Sequence, residues 1–114
     1  MKVAFTSSNG TFVDKHFGES ESFFVFEMSH TGNKFLDARI ISGNYVTQRA
    51  KYAKKSRIEV VFEVISDCSV LYTSRIGDDA ALWLETKGIR SIIYKGDISK
   101  IVQINNLIIS KTYY

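Results

Sequence analysis

His16 is the side chain in this chain best placed to bind something. Imidazole is the commonest transition-metal ligand at neutral pH. His16 lies in the polar stretch Thr6-Ser-Ser-Asn-Gly-Thr-Phe-Val-Asp-Lys-His-Phe-Gly18, which separates two apolar runs. Phe17 would wall one side of a bound group, and Gly18 would let the backbone approach it closely. Ser7, Ser8, Asn9 and Gly10 offer hydroxyl and backbone donors suited to an anionic group. Asp14 stands two residues before His16, so in an extended segment the two share a face and the carboxylate would orient the imidazole. A second candidate stretch is Arg75-Ile76-Gly77, just before a predicted helix. Arg75 there is either an anion contact or an ordinary surface residue, because Asp78 and Asp79 offset the positive end of the helix dipole.

Other residues narrow the chemistry. The first apolar run, Lys2 to Thr6, holds no carboxylate, which argues against a two-metal nuclease. No Gly-x-Ser-x-Gly elbow accompanies the Asp14–His16 pair, so a hydrolase built with Ser7 or Ser8 is disfavoured. The single cysteine, Cys68, can form no internal disulfide and supplies no thiolate set for an iron–sulfur cluster. Cys68 is expected to be a buried structural thiol. A cluster bound here would have to arrive preassembled, with His16 as its protein ligand, and no tightly held protein-ligated metal is expected. His30 falls in a predicted turn and is given no ligand role.

The 114 residues suit one domain spanning 1–114, with 45% apolar and 24% charged residues. The N-terminus lacks the apolar core of a signal peptide, and no apolar stretch reaches membrane-spanning length, so a cytoplasmic protein without membrane contact is expected. Net charge is +3. The basic cluster Arg49, Lys51, Lys54, Lys55 and Arg57 is taken as a solvated helix start or loop, with no nucleic-acid signature beside it.

Alternation predicts a first strand over 2–6, and a nearly continuous apolar run predicts a second over 23–28, covered on both faces. Turn chemistry over 30–33 leads to a third strand over 34–42, antiparallel to the second. Ile58, Val61, Phe62 and Ile65 then mark one stripe of a helix, with Ser56 and Glu59 as a capping box. A fourth strand follows over 68–73, a helix over 78–87 stopped at Gly88, and a fifth strand over 89–94. Gly96 and Asp97 start a short helix through Val102. Residues 43–56 and 103–114 carry no firm pattern.

This order predicts an α/β fold with helices on both faces of a five-stranded mixed sheet. Right-handed crossovers give the strand order 3-2-1-4-5, with strands 1, 4 and 5 parallel. By analogy this is a three-layer, ribonuclease H-like domain. Winding reverses between strands 1 and 4, where ligands of open α/β sheets commonly sit. Residues 7–18 and 74–77 meet there.

Lys2-Val-Ala-Phe-Thr-Ser-Ser-Asn-Gly10, Val13-Asp-Lys-His-Phe-Gly18 and Phe23 to Glu27 resemble the start of the nitrogenase iron–molybdenum cofactor biosynthesis domain. This NifX-type domain also occurs appended to NifB. Ile65 to Gly77, Ala80-Ala81 and Leu84 to Ile89 agree with it as well. The resemblance implies a ribonuclease H-like fold and a non-catalytic carrier of an iron–sulfur-containing cofactor or precursor. It also implies that His16 is the ligand, and that donor and acceptor proteins exchange the cargo with a monomer or weak homodimer. The alternative is a binding or regulatory module for a phosphorylated or other anionic small molecule, using Ser7 to Gly10 and Arg75.

Overall fold

The computed structural model describes residues 1–41 and 56–102. The expectations for 43–55 and 103–114, and the end of the third predicted strand, lie outside these residues.

The central strand is β1 (Lys2–Thr6), whose residues 3 to 6 are all buried. Val3 and Phe5 enter the core on one face of the sheet, and Ala4 enters the other. Its antiparallel neighbour is β3 (Ser22–Ser29), which pairs in turn with β4 (Gly32–Ile40). On the other side β1 pairs in parallel with β5 (Val70–Thr73), and β5 with β6 (Arg90–Ile93). The sheet order is thus β4-β3-β1-β5-β6. Winding reverses at the β1–β5 seam.

α1 (Arg57–Ile65) and α2 (Asp78–Thr86) cover one face. Val60, Val61 and Ile65 of α1 and Leu84 of α2 pack there with Ala4, Phe23, Val25 and Leu71. The β-branched residues of α1 weaken its propensity, but burial of its apolar stripe outweighs that cost. Ser56 accepts from the Glu59 amide, and the Glu59 side chain returns to the Ser56 amide, completing the expected capping box. Gly88, at φ +88°, ends α2 in the left-handed conformation that glycine adopts without Cβ strain. The Phe62 and Trp83 rings meet edge to face at 5.5 Å and join the two helices.

On the opposite face, Ile98 and Ile101 of a helical segment beginning at 98 pack on Val3, Phe5, Val13, Met28 and Tyr72. Gly96 and Asp97 do not start that helix. They form β7 (Gly96–Asp97), which pairs with β2 (Phe12–Val13) inside the polar stretch. Two-residue strands are too short to display a period, and only the tertiary pairing reveals them.

Strand limits also shift. β4 starts at Gly32 because the hairpin turn is only His30-Thr31. Its register on β3 jumps from Val25↔Asp37 to Phe26↔Phe35, leaving Leu36 as the extra residue of a bulge. β3 is not covered evenly on both faces. Phe23 and Val25 are buried, while Phe24 and Phe26 are half-buried beside the half-exposed Phe35. Among the described residues no helix is long and apolar enough to cross a membrane.

Candidate functional site

The turn carrying His16 lies over the carboxyl ends of β1 and β5. Thr6 ends β1 and Thr73 ends β5, both fully buried. Thr6 Oγ1 donates to the carbonyl of Lys15 at 2.7 Å, and the Thr73 hydroxyl lies 3.3 Å from the same oxygen. The Ser74 amide donates there too, at 3.2 Å. The Ser74 hydroxyl beside it is buried with no hydrogen-bond partner.

Two residues on, the Phe17 amide donates to the carbonyl of Arg75 at 2.9 Å. The stretches 7–18 and 74–77 therefore meet, joined through main-chain atoms. Phe17 does not wall an open site as expected. Its side chain is buried in the core beneath α1 and α2, and so anchors the turn. The next hold comes from α1. Arg57 Nε and Nη2 donate to the carbonyl of Phe17 at 3.2 and 3.0 Å, and Nη2 also donates to that of Ser20. Arg57 was expected to be a solvated residue of a basic cluster; it is half-buried and bonded.

His16 itself points outward, its side chain 51% exposed. Its Nδ1 lies 3.6 Å from Oε1 of Glu19, and the same oxygen accepts from the His16 amide at 3.3 Å. Glu19, not Asp14, is the carboxylate beside the imidazole. Asp14 faces the other way and accepts from the Ser8 amide at 2.9 Å and the Ser8 hydroxyl at 2.6 Å. Burial opposes the ionised form of Asp14, but the Ser8 bonds outweigh it and hold the carboxyl below its ordinary value. No Ser–His–Asp relay forms.

The donors expected at Ser7 to Gly10 are consumed locally. Ser7 Oγ accepts from the amides of Asn9 (3.3 Å) and Gly10 (2.9 Å), while Asn9 Oδ1 accepts from those of Thr11 (2.9 Å) and Phe12 (3.3 Å). With the Ser8 amide on Asp14 and the Ser7 amide on Ser22, 3.5 Å away, no amide of this stretch is left for an anion. Gly10 has φ +81°, and a Cβ there would lie 2.7 Å from the Phe24 ring. A polar cleft of about 400 Å³ runs along Ser7, Ser8, Lys15, Glu19, Glu21 and Ser22.

Arg75 and Gly77 are exposed and Ile76 is half-buried against the core beneath the helices. Gly18 is exposed, with open space where a Cβ would stand. Cys68 precedes β5, so it lies at the end of the sheet away from His16. Burial, reinforced by the charge of Asp67, pushes its thiol up to about 12. Among the described residues no group of three metal-ligating side chains comes together. His16 and Glu19 thus provide two neighbouring ligand side chains. Glu19 was detectable from its spacing of three from His16. Arg57 had no such signal, since forty residues separate it from the turn it holds.

Residues 1–104 match the family model described as dinitrogenase iron–molybdenum cofactor. The chain is 29% identical over 75 residues to the FeMo cofactor biosynthesis protein NifB of Bradyrhizobium diazoefficiens, covering 66% of this chain and 14% of that protein. It is 28% identical over 81 residues to the protein NifX of Herbaspirillum seropedicae, covering 71% of this chain and 53% of that one. The chain thus spans only part of the length of both. The apo form of the orange protein from Desulfovibrio gigas shares the fold, with a TM-score of 0.58 at 19% identity over 90% of this chain and 83% of that one.

Proposed function

The chain belongs to the dinitrogenase iron–molybdenum cofactor family, and from that premise we propose a non-catalytic carrier of an iron–sulfur-containing cofactor or its precursor. The observation that carries this reading is the contrast within one turn. The main chain at Lys15, Phe17 and Ser20 is held by β1, β5, the 74–77 loop and α1, while the His16 imidazole projects half-exposed. A rigid base with a projecting ligand suits capture of a preassembled object that has an open coordination position. Two protein side chains are too few to cage a lone metal ion, but enough to hold a cluster that brings its remaining ligands with it. Gly18 would leave room beside the imidazole, and Arg75, Ile76 and Gly77 would form the facing rim. The stretch Ser7 to Gly10 contributes shape rather than amide donors. Donor and acceptor proteins for the cargo would approach this face, with the carrier a small cytoplasmic monomer or weak homodimer.

The test is anaerobic mixing of the protein with a preassembled, thiol-liganded [4Fe–4S] cluster, followed by desalting and iron analysis. His16→Ala should retain several-fold less iron than the parent chain. Equal retention by both removes His16 from the site, and no retention by the parent chain removes the carrier reading for this class of cluster.

A further inference from the structure

Arg57 stands at the first position of α1, beside the Ser56–Glu59 cap, yet its side chain turns away from the helix. It reaches forty residues back in sequence to the turn that carries His16. There it meets two carbonyls, those of Phe17 and Ser20, with Nη2 shared between them and Nε adding a second bond to Phe17. Both residues are buried. A carbonyl in such a place that lost its donor would carry the desolvation cost of an unpaired polar group. The same turn is closed from within, since the amides of Glu19 and Ser20 both donate to the carbonyl of His16, at 3.1 and 3.0 Å. The fork therefore spans the two ends of the segment 17–20, while Glu19, the carboxylate next to the imidazole, projects from its middle.

We propose that Arg57 is a positioning residue that sets the direction of His16 and Glu19 by bridging the Phe17 and Ser20 carbonyls from α1. The proposal rests on the carrier reading for what His16 holds, though not for the bridge itself. Only a planar guanidinium can hold two carbonyls in a fixed relation with the donors Arg57 uses here. A lysine ammonium is a point donor on a flexible stem, and cannot fix their separation. An apolar side chain of similar length would fill the space and leave both oxygens unpaired. Loosening the bridge frees the turn to tilt about its remaining supports at Lys15, the Phe17 amide and the buried Phe17 ring. The imidazole then spends less time in the binding geometry, and affinity falls by the fraction lost.

The experiment compares the parent chain, Arg57→Met and Arg57→Lys by two readouts. Amide hydrogen exchange of Glu19 and Ser20 reports the turn directly and needs no cargo. Arg57→Met should speed it roughly tenfold relative to the amides of β1, and Arg57→Lys by less. Retention of the preassembled [4Fe–4S] cluster should fall several-fold in Arg57→Met, yet the substitution should have no further effect in a His16→Ala background. A merely structural arginine would lower retention equally in both backgrounds, and that result overturns the positioning role. Unchanged exchange at Glu19 and Ser20 overturns it as well. If the parent chain retains no cluster, the carrier reading falls and the exchange arm alone decides the bridge. If Arg57→Met fails to fold, Arg57→Lys carries the same comparisons.

Discussion

The hydroxyl oxygens of Thr6 and Thr73 lie 3.0 Å apart at the ends of β1 and β5, and both approach the carbonyl of Lys15. The seam between the parallel strands thus ends in a buried polar knot, and the turn bearing His16 is tied to that knot through a backbone oxygen. In a low-dielectric setting such a knot is specific, because each member left alone costs more than the bond it made.

Replacing Thr73 with valine keeps the shape and removes the hydroxyl. We expect a loss of about 1–3 kcal/mol in urea unfolding, the cost of leaving a buried partner unsatisfied. The Thr6→Val, Thr73→Val double variant should lose clearly less than the sum of the single losses. Additive losses would show that the two hydroxyls act separately.

His16→Ala should leave the melting temperature almost unchanged. The imidazole is half-exposed and its Glu19 contact is a surface pair, a class worth roughly 0–1 kcal/mol. Differential scanning fluorimetry of the variant alongside iron retention separates binding from folding. A drop of many degrees would place the ring in the scaffold instead.

Gly10→Ala should destabilise by about 1–2 kcal/mol from the left-handed backbone alone. More is expected from the clash with the Phe24 ring, 2.7 Å from the added Cβ. Phe24→Leu should recover part of the loss in the double variant, measured by urea unfolding. No recovery would mean that backbone strain accounts for the whole effect.

Asp67 is expected to contribute to the acid limb of stability. The bond from Arg39 holds its carboxyl well below the usual carboxylate range, with Lys2 also donating to it. A folded value depressed below the unfolded one, about 3.9, gives stability that is fully present above the unfolded value and is lost as pH falls below it. Asp67→Asn should lower stability at neutral pH by about 1 kcal/mol, given that the side chain is 40% exposed and screened by solvent. It should also flatten the fall below about pH 4, read from melting temperature against pH. An unchanged acid limb would rule out this carboxyl as its cause.

Cys68 should resist alkylation in the native protein even at mildly alkaline pH, because burial pushes its thiol up to about 12. Iodoacetamide followed by intact-mass measurement should show label only after unfolding in guanidinium. Rapid native labelling would contradict the burial.

Much of the scaffold was legible because it rests on local signals. Ser56 and Glu59 announce the start of α1, Gly88 the end of α2, and the stripe from Ile58 to Ile65 the helix between sheet and solvent. The site was legible only in outline. His16 could be singled out by type and neighbours, and the meeting of 7–18 with 74–77 followed from the winding of the chain. The partners of each residue did not follow. Asp14 shares a spacing with His16 but is claimed by Ser8, since a two-residue separation says nothing about which neighbour wins a carboxylate. The β2–β7 pair and the reach of Arg57 join residues tens of positions apart, and no local pattern encodes them.

One division of labour within the His16 turn has an evolutionary consequence. Apart from the buried Phe17 ring, the contacts that hold it in place use main-chain atoms of Lys15, Phe17, Ser20 and Arg75, whereas the outward display uses the side chains of His16 and Glu19. Residues 16 and 18 can therefore be exchanged without disturbing these supports, since a carbonyl accepts the same bond whichever side chain its residue carries, whereas exchanging Glu19 also removes its bond from the His16 amide. Such a turn works as an interchangeable socket, and a new preference for cargo is reachable through exposed substitutions at 16 and 18 on an unaltered frame.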